Sequence, residues 1–150
     1  MRKPHEYPVT VQWEDTDAGG VVYHANYLKF MERARSASLR EFGVSQRELE
    51  NETGVIMVVA DLSIRYRHPA LLEDRLTVKT IVKELRHASC LVSQSVWRGE
   101  DLLTEGSVRL VCVKRNPLRP APFPPVLTRF FSSWLEEDGE EGGDTPKPRA

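Results

Sequence analysis

Cysteine is scarce in this chain: Cys90 and Cys112 are the only two among 150 residues. Each lies inside a strand-like apolar stretch and neither belongs to a paired motif. The expected state is a pair of buried free thiols, not a disulfide framework or a metal site. Long apolar runs are lacking too, and none approaches the ~18 residues that span a bilayer, so membrane insertion is not expected. The basic residues of MRKPHEYPVT have no apolar segment behind them, so the start does not read as a signal peptide. An excess of one charge is also missing. The formal net charge is -1, which gives no global field for nucleic acid and leaves any polyanionic partner to a local basic patch. No internal repeat is present. What remains is an ordinary soluble composition at single-domain length, expected in the cytoplasm.

The order of elements follows from periodicity. Residues 7–13, YPVTVQW, are β-branched and aromatic and read as a strand. From Asn26 to about Phe42 helix formers run without Gly or Pro, and Gly43 supplies the stop. Positions 27, 30, 31, 34, 37 and 42 make one apolar face, which Leu28 and Leu39 broaden. A face that broad suits a helix pressed into a concave surface. Ser45 and Glu48 form a capping-box pattern for a short second helix. The period then changes, and 55–68, 74–86, 87–98 and 102–116 read as long strands. The third and fourth of these are joined by the hairpin RGED, so 75–115 is an antiparallel meander. Proline-rich 116–125 ends the sheet, 126–137 reads as a closing helix, and 138–150 as a disordered tail. The expectation is α+β: a curved antiparallel sheet around one long central helix, in a domain spanning 1–137. Its uncovered edges favour oligomers.

Between the first strand and the long helix lies WEDTDAGGVVYHANYLKF, residues 13–30. DTDAGG begins like a calcium loop, with Asp15, Asp17 and Gly20 at positions one, three and six. Position five is then Gly19, with no side-chain oxygen, and position twelve is Asn26 instead of a bidentate Glu. His24 has no second ligand at a zinc spacing. The glycines fit no phosphate-binding pattern, and the acids would repel phosphate. No metal is therefore expected. Spacing alone leaves two readings open. One is a plain turn, with an Asp bonded to local N–H groups and Gly19-Gly20 supplying positive φ. The other is a reactive carboxylate beside the N–H groups at the positive end of the helix, which is half of an acyl-transfer site.

The run DTDAGGVVYHANYLKF, followed by ERAR, closely resembles the active-site segment of the 4-hydroxybenzoyl-CoA thioesterase-like family of hotdog folds. Within that family it is most similar to the acyl-CoA thioesterases associated with the bacterial Tol-Pal system. The resemblance covers about residues 7–135 and implies hydrolysis of acyl-CoA without a cofactor. By position, Asp17 matches the catalytic carboxylate, and His24 the residue whose backbone N–H polarises the thioester carbonyl. Asp15 matches the first acid of the motif, expected to act through local hydrogen bonds. Tyr23 and the His24 imidazole are candidates for a direct role, with pocket wall and helix-start packing as the alternatives. Gly20 and Asn26 are candidate substrate contacts, although Asn26 also suits a helix N-cap. Glu32 and Arg33 read as helix surface. Residues 83–89, KELRHAS, resemble the family's CoA-contacting hairpin, where Arg86, His87 and Ser89 match; Ala88 stands where a further basic residue can occur. The resemblance further implies a homodimer or a tetramer of paired dimers, with each site shared between subunits.

Overall fold

The computed structural model describes residues 3–141, with the backbone alone for 137–141. Strand β1 (His5–Thr10) leads through a 3-10 turn (Trp13–Asp15) and the acid–glycine loop into helix α1 (Asn26–Glu41). A second helix α2 (Gln46–Thr53) precedes the strands β2 (Val55–Tyr66), β3 (Arg75–Leu85), β4 (Ser89–Arg98) and β5 (Asp101–Lys114). The short β6 (Arg119–Pro120), helix α3 (Pro125–Ser133) and β7 (Leu135–Glu141) complete the order. All strands form one sheet with the path β1-β3-β4-β5-β2, in which β6 adds to β5 and β7 to β3. The β3-β4-β5 meander is antiparallel as expected, and Gly99 turns its second hairpin at φ 60°.

Helix α1 buries Tyr27, Phe30, Met31, Ala34, Ala37 and Leu39, so the broad face expected from spacing is the one the sheet covers. Phe42 does not join it; 41% exposed at the C-cap, it packs edge-on against Phe130. Gly43, at φ 93°, then carries the chain out of the helix. Helix α2 starts where the capping pattern put it, with the Ser45 hydroxyl accepting from the Glu48 N–H. Both cysteines are buried and free. Burial pushes the Cys112 thiol up to about 11 and drives Cys90 further in the same direction, so both stay unreactive.

Three expectations need correction. The first strand spans residues 5–10, not 7–13, because Gln12 and Asp15 bond to each other and wind 13–15 into a turn. The closing helix ends at Ser133, where the Trp134 N–H bonds back to Phe131. Residues 135–141 are instead a strand pairing parallel to β3, so the boundary expected at 137 falls inside it. The rest of the expected tail, 142–150, lies outside the described residues. Among the described residues no helix is long and apolar enough to cross a membrane.

The core divides along α1. One cluster joins Tyr27, Phe30, Met31 and Ala34 to Leu76, Val78, Val96 and Leu103; the other joins Leu39 to Val82, Val92, Leu110 and the phenylalanines of α3. Between them the apolar inward row of β3 and β4 is interrupted by Thr80 and Gln94, buried residues that face each other across the ladder. Phe30 is fully buried in the first cluster. Phe30→Ala is expected to lower unfolding free energy by about 3–5 kcal/mol, measured by denaturant titration.

Candidate active site

The acid–glycine loop is built on Asp15. This carboxylate is 4% exposed, accepts the Gln12 N–H at 2.7 Å through Oδ2, and accepts the Asn26 side-chain amide at 2.6 Å through Oδ1. Its backbone carbonyl accepts the Tyr23 N–H at 2.9 Å. One residue thereby ties the end of β1, the segment before the helix, and the first turn of α1. Asn26 is not an N-cap: Ala25 holds that position, and the buried Asn26 amide is engaged by Asp15.

Asp17 sits two residues on, exposed at the tip of a small hairpin closed by a Thr16–Val22 bridge. Its Oδ1 accepts the Gly19 N–H at 2.8 Å, while no described residue donates to Oδ2. The two glycines have separate jobs. Gly20 takes φ 80° and donates its N–H to the Asp17 carbonyl at 3.0 Å. Gly19 does not adopt positive φ; its lack of a Cβ clears the carboxylate, since a Cβ there would lie 3.2 Å from Asp17 Oδ1.

The loop is docked on the β2–β3 connection. Val21 bridges Leu71, and the Val22 N–H bonds to the Ala70 carbonyl. The Tyr27 hydroxyl accepts the Ala70 N–H at 3.1 Å, which fixes the first turn of α1 to the same segment. Asp74 holds that connection in turn, accepting from the Leu71 N–H and from Arg98, each at 2.8 Å. Burial pushes the Asp74 carboxyl up, but those two donors outweigh it and hold it below the usual carboxylate range.

His24 precedes the N-cap of α1 and is exposed. Its carbonyl accepts the Tyr66 hydroxyl at 2.6 Å, and no described residue accepts from its backbone N–H. The His24 and Tyr23 rings lie 4.5 Å apart, and Tyr66 meets both His24 and Tyr27 edge-on. Burial, then the neighbouring Tyr27, raises the Tyr66 pKa, so its hydroxyl remains a donor. A cleft of about 230 Å³ opens here, lined by His24, Tyr27, Tyr66 and residues 67–69. Tyr66 was invisible to motif reading, because it lies 42 residues from His24.

Asp17, Tyr23, His24, Gly20 and Asn26 are therefore gathered at one end of α1. Arg86, His87 and Ser89 are not. They form the β3–β4 turn, where the Arg86 N–H bonds to the Ser89 carbonyl and the His87 carbonyl accepts from Phe123. β3 begins opposite Thr10, beside the acid–glycine loop, and runs from Arg75 to Leu85. At ~3.3 Å per residue, the turn lies roughly 33 Å from that end. The Arg86 guanidinium also bonds to Glu84 at 3.0 Å, and Arg109 reaches the same carboxylate at 3.3 Å. Burial raises Glu84, yet the two arginines hold its pKa below the usual range.

Comparison with known proteins bears on this geometry. A model of the thioesterase-like superfamily matches residues 11–131, from just after β1 into α3. The chain belongs to that family. The acyl-CoA thioesterase YbgC of Haemophilus influenzae is 43% identical over 125 residues, covering 83% of this chain and 92% of that protein. The acyl-CoA thioesterase YbgC of a Helicobacter pylori strain is 46% identical over 133 residues, covering 82% and 96%. Among solved structures, a probable thioesterase from Bartonella henselae matches with TM-score 0.75 and 32% identity, over 81% of this chain and 99% of that one. The fold is the hotdog of this superfamily, as the sequence resemblance implied.

Asp15→Ala strips partners from a buried amide and a backbone N–H. It is expected to cost about 1–3 kcal/mol for each donor left unsatisfied, read by thermal or denaturant unfolding. Asp74 tests the electrostatics of the docking segment. Because its folded pKa is depressed, its contribution is present above the ordinary carboxylate pKa and lost as pH falls through the folded value. Stability measured against pH should therefore fall less steeply on the acid side in Asp74→Asn than in the wild type.

Proposed function

We propose that this chain hydrolyses the thioester of an acyl-CoA to the free acid and CoA, with Asp17 as the reacting carboxylate. One observation carries the assignment. Of the two aspartates in the loop, Asp15 has both oxygens engaged and is buried, whereas Asp17 keeps Oδ2 unengaged on a loop fixed at both ends. The Gly19 N–H holds the other oxygen, so the carboxylate has a set direction while one oxygen can act.

Two routes use that oxygen. As a general base, Asp17 takes a proton from water, which attacks the carbonyl carbon; the thiolate leaves and is protonated by the acid so formed. As a nucleophile, Asp17 attacks the carbon itself, expels the thiolate, and water then cleaves the mixed anhydride. In both routes negative charge gathers on the carbonyl oxygen. The His24 N–H, at the positive end of α1 and without an acceptor among the described residues, is the donor for it. Such a donor is worth about 10²–10³ in rate. The hydrogen bond from Tyr66 to the His24 carbonyl steadies this peptide. Tyr23 and the His24 imidazole wall the site.

The separation of Arg86, His87 and Ser89 from Asp17 supports a site shared between subunits. These residues meet the phosphates of CoA bound at a neighbouring subunit's Asp17. The second copy joins through β2, which ends the sheet path with one side unpaired among the described residues and exposes Val59 and Leu62. A homodimer results, or a tetramer of such pairs.

A panel of butyryl-, palmitoyl- and benzoyl-CoA, with an acyl-carrier-protein thioester alongside, tests the reading. Asp17→Asn is expected to lower kcat by at least ~10² with its unfolding midpoint unchanged. Near-normal turnover in that variant would reject Asp17. A wild type inactive on the whole panel would favour a binding protein that only holds acyl carriers. Single turnover in ¹⁸O-water tests the nucleophilic route: a solvent oxygen retained on Asp17 marks an anhydride cleaved at the Asp17 carbonyl. Arg86→Glu is expected to raise KM for acyl-CoA well above its effect on a short thioester lacking the nucleotide; equal effects would remove Arg86 from the CoA site.

A further inference from the structure

Residue 24 carries two backbone groups of opposite sign beside the cleft. Its N–H is the donor assigned above to the oxyanion, and its carbonyl is an acceptor that repels the same charge. The carbonyls at the start of α1 are satisfied one at a time. That of Tyr23 accepts the Asn26 N–H at 2.8 Å, and that of Ala25 accepts the Leu28 N–H at 3.2 Å. The His24 carbonyl falls between them, and among the described residues no backbone N–H reaches it. Its partner is the Tyr66 hydroxyl at 2.6 Å, from a residue 42 positions along the chain.

Tyr66 is braced on every side but that of the cleft. It is the last residue of β2 and pairs with Thr104 of β5, and the next N–H, that of Arg67, bonds to the Leu103 carbonyl at 2.8 Å. The Arg67 guanidinium pairs with Glu105 on the neighbouring strand. The Tyr66 ring meets Tyr27 edge-on at 5.5 Å, and the Tyr27 hydroxyl is itself tied to Ala70. Tyr66 and His24 are both exposed, so water competes for their hydrogen bond and leaves it little net stability. What the bond supplies is direction.

We infer that Tyr66 is a positioning residue for the oxyanion site: its hydroxyl holds the His24 carbonyl aside, so that the start of α1 offers the substrate a donor and no free acceptor. The inference rests on the proposed hydrolysis, since it gives Tyr66 an effect on the step in which charge reaches the thioester oxygen. Both carbonyls flanking the His24 N–H are then occupied, that of Tyr23 by Asn26 and that of His24 by Tyr66. The Asn26 bond also polarises the donor, because the Tyr23 carbonyl and the His24 N–H belong to one amide. Without the Tyr66 hydroxyl, the His24–Ala25 peptide is free to rotate and its oxygen can turn towards the cleft. An acceptor there opposes the negative transition state far more than it opposes the neutral thioester. The loss therefore falls on the chemical step and spares substrate binding.

Tyr66→Phe keeps the ring and removes only the hydroxyl, and water takes the freed carbonyl, so its unfolding midpoint is expected to match the wild type. With the best acyl-CoA of the panel, kcat is expected to fall about 10- to 100-fold while KM stays within about twofold. A second measurement needs no turnover. Ketone analogues of the panel's acyl-CoAs, with CH2 in place of the thioester sulfur, are bound to the ¹⁵N-labelled full chain. The His24 ¹H–¹⁵N resonance is expected to move downfield in the wild type and in Asp17→Asn, and less than half as far in Tyr66→Phe. An equal shift in Tyr66→Phe, or none in the wild type, overturns the inference. So does an unchanged kcat, with or without a raised KM, which would leave Tyr66 a plain wall of the cleft. If the wild type hydrolyses nothing in the panel but shows the full His24 shift, halved in Tyr66→Phe, the hydrolysis is rejected and the positioning role stands.

Discussion

The candidate site depends on the burial of one carboxylate. Asp15 is removed from water, and a charge in that position is tolerable only when its oxygens are met by donors. Gln12 comes from the end of the first strand and Asn26 from the first turn of the helix, so satisfying the charge brings those two elements to a fixed separation. The hairpin carrying Asp17 spans that gap and has little freedom left. Asp17 itself can then remain solvated and only lightly held. The division is between an acid that organises and an acid that is organised.

The sequence made the regular elements legible because each is written locally. The α1 face recurs at helical spacing, Ser45 caps α2 three residues before Glu48, and β3, β4 and β5 alternate cleanly enough to define a meander. What stayed hidden was set by partners far along the chain. Asn26 looked like a cap, yet its amide has a better use in Asp15, eleven residues back. Tyr66 carries no motif, and Arg35 entered only as the last residue of ERAR; their partners, the His24 carbonyl and Gln94, lie 42 and 59 residues away. Residues 135–137 read as the end of a helix and the acid-rich 138–141 as the start of a tail, whereas pairing along the free part of the β3 edge makes 135–141 a strand.

Polar residues inside the sheet are informative for the same reason. Thr80 and Gln94 interrupt two runs of otherwise apolar inward positions at the same level, directly opposite each other. An amide there must be fully bonded, and it is: its nitrogen to Met31 and Thr80, its oxygen to Arg35. This layer separates a core cluster under the candidate active site from one under α3.

The two borders of the sheet differ in kind. On one side β1 and β7 lie end to end along β3, short, running in opposite directions, with Pro8 inside β1 where it can offer no N–H. On the other side β2 runs twelve residues without a proline, its outer side unpaired among the described residues. A sheet with one receptive border and one refractory border has a valence of one. Two such chains meeting through β2 exhaust each other, and the product presents only blunted ends. In the proposed dimer, addition along the hydrogen-bonding direction would halt at the pair, which separates a finite assembly from a filament built of the same strands.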